Sequence, residues 1–138
     1  MNEDARDVFT NENIEKATLM VNEAGSLLKS SKLKEALDMD YQAIFCSMRA
    51  LLAIDDFFSE DDFAVEKNFR SMYIDNGMTS EELETTLDRI LEYYDNIKTV
   101  SGFQIRKPDI GYFTSKAHFF IEEISDNIIQ RRNIYSGQ

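Results

Sequence analysis

The side chains that could do chemistry are few in this chain. There is one histidine, His118, and one cysteine, Cys46. One of each excludes the zinc sites built from Cys and His clusters. A di-iron helical bundle needs Glu-x-x-His on two helices, and here Ser115 stands three residues before His118. Neither a Gly-rich phosphate loop nor a nucleophile elbow is present. His118 adjoins Phe119 and Phe120, which suits a packing or surface histidine better than a catalyst. Cys46 lies in an apolar stretch, where a thiol acts as a small core filler, and as a single cysteine it suits a reducing cytoplasm. Asp55, Asp56, Glu60, Asp61 and Asp62 invite a metal reading. They lack the central Gly and twelfth-position Glu of an EF-hand, and acids gathered at a helix N-terminus are explanation enough. No metal, cofactor or catalytic residue is therefore expected.

The cations say more. Arg49 sits beside Met48 and Leu52 near the centre of an apolar stripe. Two roles suit it: pairing with an acid at the core's edge, or holding a guanidinium ready for phosphate or carboxylate. The net charge is −11, which disfavours nonspecific nucleic-acid or anionic-membrane binding. The segment from Lys98 to Lys116 runs the other way, with four bases (Lys98, Arg106, Lys107, Lys116) against Asp109. An anionic ligand would be met there. Lys98, Arg106, Lys107 and Arg49 are the candidate ligand-binding residues.

Helices must position these groups. The chain has 138 residues, 43% hydrophobic, with one Pro and five Gly, and no long β-branched alternation. That composition predicts a single all-α domain, an antiparallel up-and-down bundle of about five helices. No apolar run approaches a transmembrane length, and the acidic start Met1–Asp7 does not read as a signal peptide. Residues 1–10 are expected to fray. Helix 1 then starts near Asn11 or Asn13, with Asn11 a candidate N-cap, and ends near Ser30. Gly25 inside it suggests a close helix crossing. The turn Ser30-Ser31-Lys32 makes helix 2 its antiparallel neighbour.

Helix 2, about 33–55, carries the densest apolar repeat: Tyr41, Ile44, Phe45, Met48, Leu51 and Leu52, at steps of three and four. Small residues on its flanks let partners approach. Phe57 and Phe58 should cover one end of the bundle. Helix 3 spans about 62–76 and stops at Asn76-Gly77. Thr79-Ser80-Glu81-Glu82 reads as a capping box, with Thr79 as N-cap and Glu82 reaching back. Helix 4 runs through Leu83, Leu87, Ile90, Leu91, Tyr94 and Ile97. Residues 99–111 form the longest interior loop. Helix 5 runs from about 112–115 to Asn133 on Phe113, Ala117, Phe120, Ile121, Ile124, Ile128 and Ile129, with Arg131 and Arg132 offsetting its dipole.

One stretch also resembles a known family. Tyr41-x-Ala43-x-Phe45-x-x-x-Arg49-Ala50-Leu51-Leu52 is similar to the second-helix signature of HEPN domains, nucleotide-binding helical domains of prokaryotes and higher eukaryotes. The likeness is closest to the small stand-alone bacterial and archaeal branch. Phe69-x-x-x-Tyr73-x-x-x-Gly77 and Ala117-x-x-Phe120-Ile121 extend it over about residues 12–130. The resemblance implies a compact helical bundle that forms homodimers. It also implies a minimal nucleotidyltransferase as partner protein, in a toxin–antitoxin-type pair. Active ribonucleases of the family carry Arg-x(4–6)-His after helix 4, which positions the scissile phosphate and moves a proton at the 2′-hydroxyl. Here no Arg is followed by His at that spacing. Lys98 takes the Arg place, Gly102 and Phe103 stand where Asp-Tyr is common, and Cys46 stands where a His often follows the helix 2 Phe.

Two functions follow as expectations. The first is a non-catalytic module that binds a nucleotide, RNA or a partner protein, as a cytoplasmic homodimer. The second is a divergent metal-independent ribonuclease toxin using Lys98, Arg106 or His118. The second requires His118 to join Lys98, Arg106 and Arg49 in one dimer cleft.

Overall fold

A computed structural model describes residues 2–135, and the side chain of Tyr135 is left aside. Among these residues there are five helices and no strand. They are α1 (Glu3–Lys29), α2 (Leu33–Ile54), α3 (Asp62–Phe69), α4 (Glu81–Thr99) and α5 (Lys107–Tyr135). One π-helical turn, Arg70–Ile74, prolongs α3. No described helix is long and apolar enough to cross a membrane.

Helix α2 is the centre of the bundle, as its apolar repeat requires. Leu37, Ile44, Met48, Leu51 and Leu52 are fully buried, and so are the small Ala36, Ala43, Ser47, Ala50 and Ala53. Small residues on two flanks let α1 and α5 pack close on either side. α1 and α2 are antiparallel across a tight turn in which Ser31 takes a left-handed backbone (φ 58°). α5 lies beside α2 and runs with it: Thr114 meets Asp40 near their starts, and Arg131 meets Asp55 near their ends. The short α3 and the returning α4 make that direction available. α4 is antiparallel to α5, pairing Glu82 with Lys116 and Ser80 with Glu123 near its own start. Phe69 and Phe120 bring α3 against α5. Truncating such a buried ring costs about 3–5 kcal/mol.

The N-terminus departs from the expected fraying. α1 begins at Glu3 with Asn2 as its N-cap, accepting from the Ala5 N–H. Tertiary contacts extend it. Arg6 pairs with Asp56 at 2.9 Å, and the fully buried Thr10 donates to the Ala50 carbonyl. Asn11 is therefore no cap; its side chain accepts from Arg132. Met1 and residues 136–138 of the expected domain lie outside the described residues.

Other boundaries move for local reasons. Ser80, not Thr79, caps α4, accepting from the Leu83 N–H at 3.1 Å. Glu123 accepts from both the N–H and the hydroxyl of Ser80, so Glu82 is free to pair with Lys116 instead of reaching back. α5 starts at Lys107, five to eight residues earlier than expected, because Pro108 sits in its first turn, where the missing N–H costs nothing. The interior loop shrinks to residues 100–106. Gly25 marks no close crossing, since a Cβ there would meet nothing within 4 Å. Ile129 is 58% exposed and leaves the expected face of α5. Gly77 does stop α3 in the left-handed region (φ 69°), with the Met78 N–H donating to Tyr73. Phe57 packs against the core as expected, and Phe58 stands at the surface, edge-on to Phe9.

Candidate functional site

The short loop and the two helices it joins build a cleft of about 500 Å³. Steps of three and four along α4 place Arg89, Glu92, Tyr93 and Asn96 on its wall. The first turns of α5 supply Asp109, Tyr112 and Phe113. Gly102 at φ 73° and the Phe103 N–H donating to Val100 turn the loop, so that Phe103 meets Tyr93 edge-on at 5.0 Å. Tyr93 also meets Phe113 at 5.2 Å, and Phe113 meets Tyr112 at 5.4 Å.

Polar groups punctuate these rings. The Tyr93 hydroxyl donates to Asp109 and accepts from the backbone N–H of Arg106. Burial, aided by Asp109, pushes its pKa up, so it stays protonated. Arg89 donates to the Tyr112 hydroxyl at 2.9 Å and lies over that ring. Lys116 approaches the same ring, and its bond with Glu82 holds its ammonium pKa above the usual value. Aromatic faces, one guanidinium, one amide and the carboxylates of Glu92 and Asp109 suit the recognition of a flat polar ring with its own donors and acceptors.

The expected site residues divide into two groups. Lys98, Arg106 and Lys107 share one end of the bundle, where the α1–α2 turn, the end of α4 and the start of α5 come together. Lys107 donates to Ser31 in that turn. Arg106 touches the cleft through its backbone, with its side chain exposed. Lys98 lines a neighbouring depression with Tyr41, Leu91, Tyr94 and Asp95. Lys29, Lys32 and Lys34 stand at the same end, which reading in chain order missed because they precede the loop by about seventy residues. The signal was available: they flank the one turn that must lie at that end.

Arg49 belongs elsewhere, roughly 20 Å along α2 from Lys34. It donates to the carbonyls of Ser59 and Glu60 and pairs with Asp62 at 2.5 Å. Tyr41 donates to the other oxygen of Asp62, and burial with that carboxylate raises its hydroxyl pKa to about 12. Two polar residues of the helix 2 motif thus clasp the first residue of α3. Three other acids of the loop are also engaged: Asp55 with Tyr73 and Arg131, Asp56 with Arg6, and Asp61 as the α3 cap. Arg131 and Arg132, read as dipole partners, make tertiary ion pairs with Asp55 and Asp7. His118 is exposed on α5, about 16 Å along the axis from Lys107, so one chain does not bring it to the loop.

Sequence reasoning also missed Asp40. It is fully buried, accepts from the Thr114 hydroxyl at 2.7 Å, and its second oxygen has no hydrogen-bond partner. Burial outweighs the Thr114 bond and lifts its carboxyl to about 7. Its place three residues after Leu37, on the apolar stripe, was the visible sign.

No protein-family model matches this chain, and no curated protein is significantly similar to it.

Proposed function

We propose that this protein is a non-catalytic, HEPN-like helical module that binds a nucleotide in the α4–α5 cleft. The base lies against Tyr112, Tyr93 and Phe103, and the phosphates turn toward Arg106 and the basic end. The observation that carries this reading is the aromatic cleft beside cations that lack ion-pair partners. Among the described residues, neither Lys98 nor Arg106 has one. A flat heterocycle gains stacking there, and each phosphate gains charge-assisted contacts in a chain that is otherwise acidic. The helix 2 resemblance supports the same class of ligand. It also supports the remaining parts of the proposal: a homodimer, a cytoplasmic setting and a nucleotidyltransferase-like partner protein.

The test is calorimetric titration of the protein with AMP and ATP at low salt. Binding should be saturable, tighter for ATP, and weakened about tenfold when Lys98 and Arg106 are both replaced by Ala. Unchanged affinity in that double variant would remove the assignment of the phosphate end. Absence of saturable binding by either nucleotide would overturn the reading.

A further inference from the structure

A second cavity, of about 650 Å³, lies where the loop between α2 and α3 crosses α1. Its walls include Phe9, Asn13, Lys16, Cys46, Arg49 and Phe58. Residues 9, 13 and 16 follow the helical step, so α1 turns one stripe toward it. Phe9 and Phe58 meet edge-on at 5.1 Å and make its apolar end. The loop that carries Phe58 is held in place rather than loose. Arg49 grips two of its carbonyls, Arg6 pairs with Asp56, and Asp56 itself keeps a left-handed backbone (φ 61°).

The charge on these walls selects the ligand. The Arg49 guanidinium is offset by Asp62 at 2.5 Å. Lys16 is exposed and, among the described residues, has no ion-pair partner. The cavity thus offers an apolar end and, near Cys46, a cation that pairs with no acid among the described residues; the exposed Glu60 carboxylate, on the same lining, is likewise without an ion-pair partner among them. A polyanion would meet one free cation and the −11 field of the chain. A neutral apolar molecule would leave Lys16 unused. The volume lies within the range of small-molecule sites.

We propose that this cavity binds a small monocarboxylate carrying a ring or alkyl chain, its carboxylate on Lys16 and its apolar part against Phe9 and Phe58. The site is separate from the α4–α5 cleft and does not depend on the nucleotide reading. Cys46, 7% exposed in the wall, provides a built-in reporter of occupancy.

The experiment titrates the full chain, labelled with nitrogen-15, with phenylacetate and octanoate and with their neutral amides. At least one carboxylate should give saturable shifts at residues 9–16, 46 and 58–60. It should bind about tenfold more tightly than its amide, the gain expected of one charge-assisted contact. Lys16→Gln should abolish that preference, and because Lys16 is exposed the variant should keep the native spectrum. The bound carboxylate should also slow alkylation of Cys46 by iodoacetamide. Equal affinity for acid and amide, a preference that survives Lys16→Gln, or shifts confined to the α4–α5 cleft would each overturn the proposal. So would the absence of saturable shifts with both carboxylates.

Discussion

Asp40 and Arg49 are charged residues on the same helix, nine positions apart, and the structure treats them in opposite ways. Arg49 lies at the edge of the core and has partners for most of its donors: two loop carbonyls and Asp62. Asp40 lies between α2 and α5 with one hydroxyl donor and no cation. The long stem of Arg reaches polar groups beyond the packed stripe. The short stem of Asp cannot, so burial instead favours its protonated form and lifts its carboxyl to about 7. The comparison shows that a charge in an apolar repeat is tolerated by reach or by neutralisation. The residue that looks most exceptional in the sequence is the better accommodated of the two.

Removing Arg49 should break the comparison. Arg49→Ala leaves one oxygen of Asp62 and two loop carbonyls without the Arg49 donor, while Tyr41 still holds the other oxygen, and should cost about 2–3 kcal/mol. The midpoint of urea unfolding should fall accordingly. Lys at this position should restore less than half, since an ammonium lacks the planar fork.

Asp40→Asn sharpens the other side. Asp40 carries an ordinary value of 3.8 when unfolded and about 7 when folded. It is neutral in both states below pH 4. Above that the unfolded chain ionises first, so stability falls as pH rises from about 4 through 7 and levels off beyond. The Asn variant should therefore be more stable than the native protein at pH 8, by up to about 4 kcal/mol, with the difference fading toward pH 4. Thermal unfolding across that range reads the effect, and a pH-independent difference would contradict it.

Smaller effects belong to the surface. Tyr112→Ala should weaken AMP binding about tenfold by removing a stacking face, and should lower stability modestly through the lost packing on Phe113. Ser80→Ala should cost about 1 kcal/mol through loss of the α4 cap, whereas Thr79→Ala should cost a few tenths at most. That pair distinguishes the observed cap from the one the capping-box pattern suggests.

Much of the fold was legible because helical periodicity is a local signal. The repeat through Tyr41, Ile44, Met48 and Leu51 marks the central helix, and Gly77 marks a stop that only a left-handed residue provides easily. The boundaries that shifted did so through distant partners. Glu123 selects Ser80 as the cap, and Thr10 and Arg6 carry α1 back to Glu3. The site was legible only in part. The basic character of Lys98, Arg106 and Lys107 could be counted along the chain, but their separation from Arg49 could not.

The sequence by itself determined that this is an all-helical chain, where its central helix lies, and which segment is basic. Those properties depend on residues within a few turns of one another. Only the tertiary structure decided that Arg49 is spent on a loop, that Asp40 is buried without a cation, and that the α1–α2 turn joins the basic end. It also decided that α4 and α5 leave an aromatic cleft between them. Burial, pairing and convergence depend on how helices distant in sequence are placed, and no local pattern encodes that.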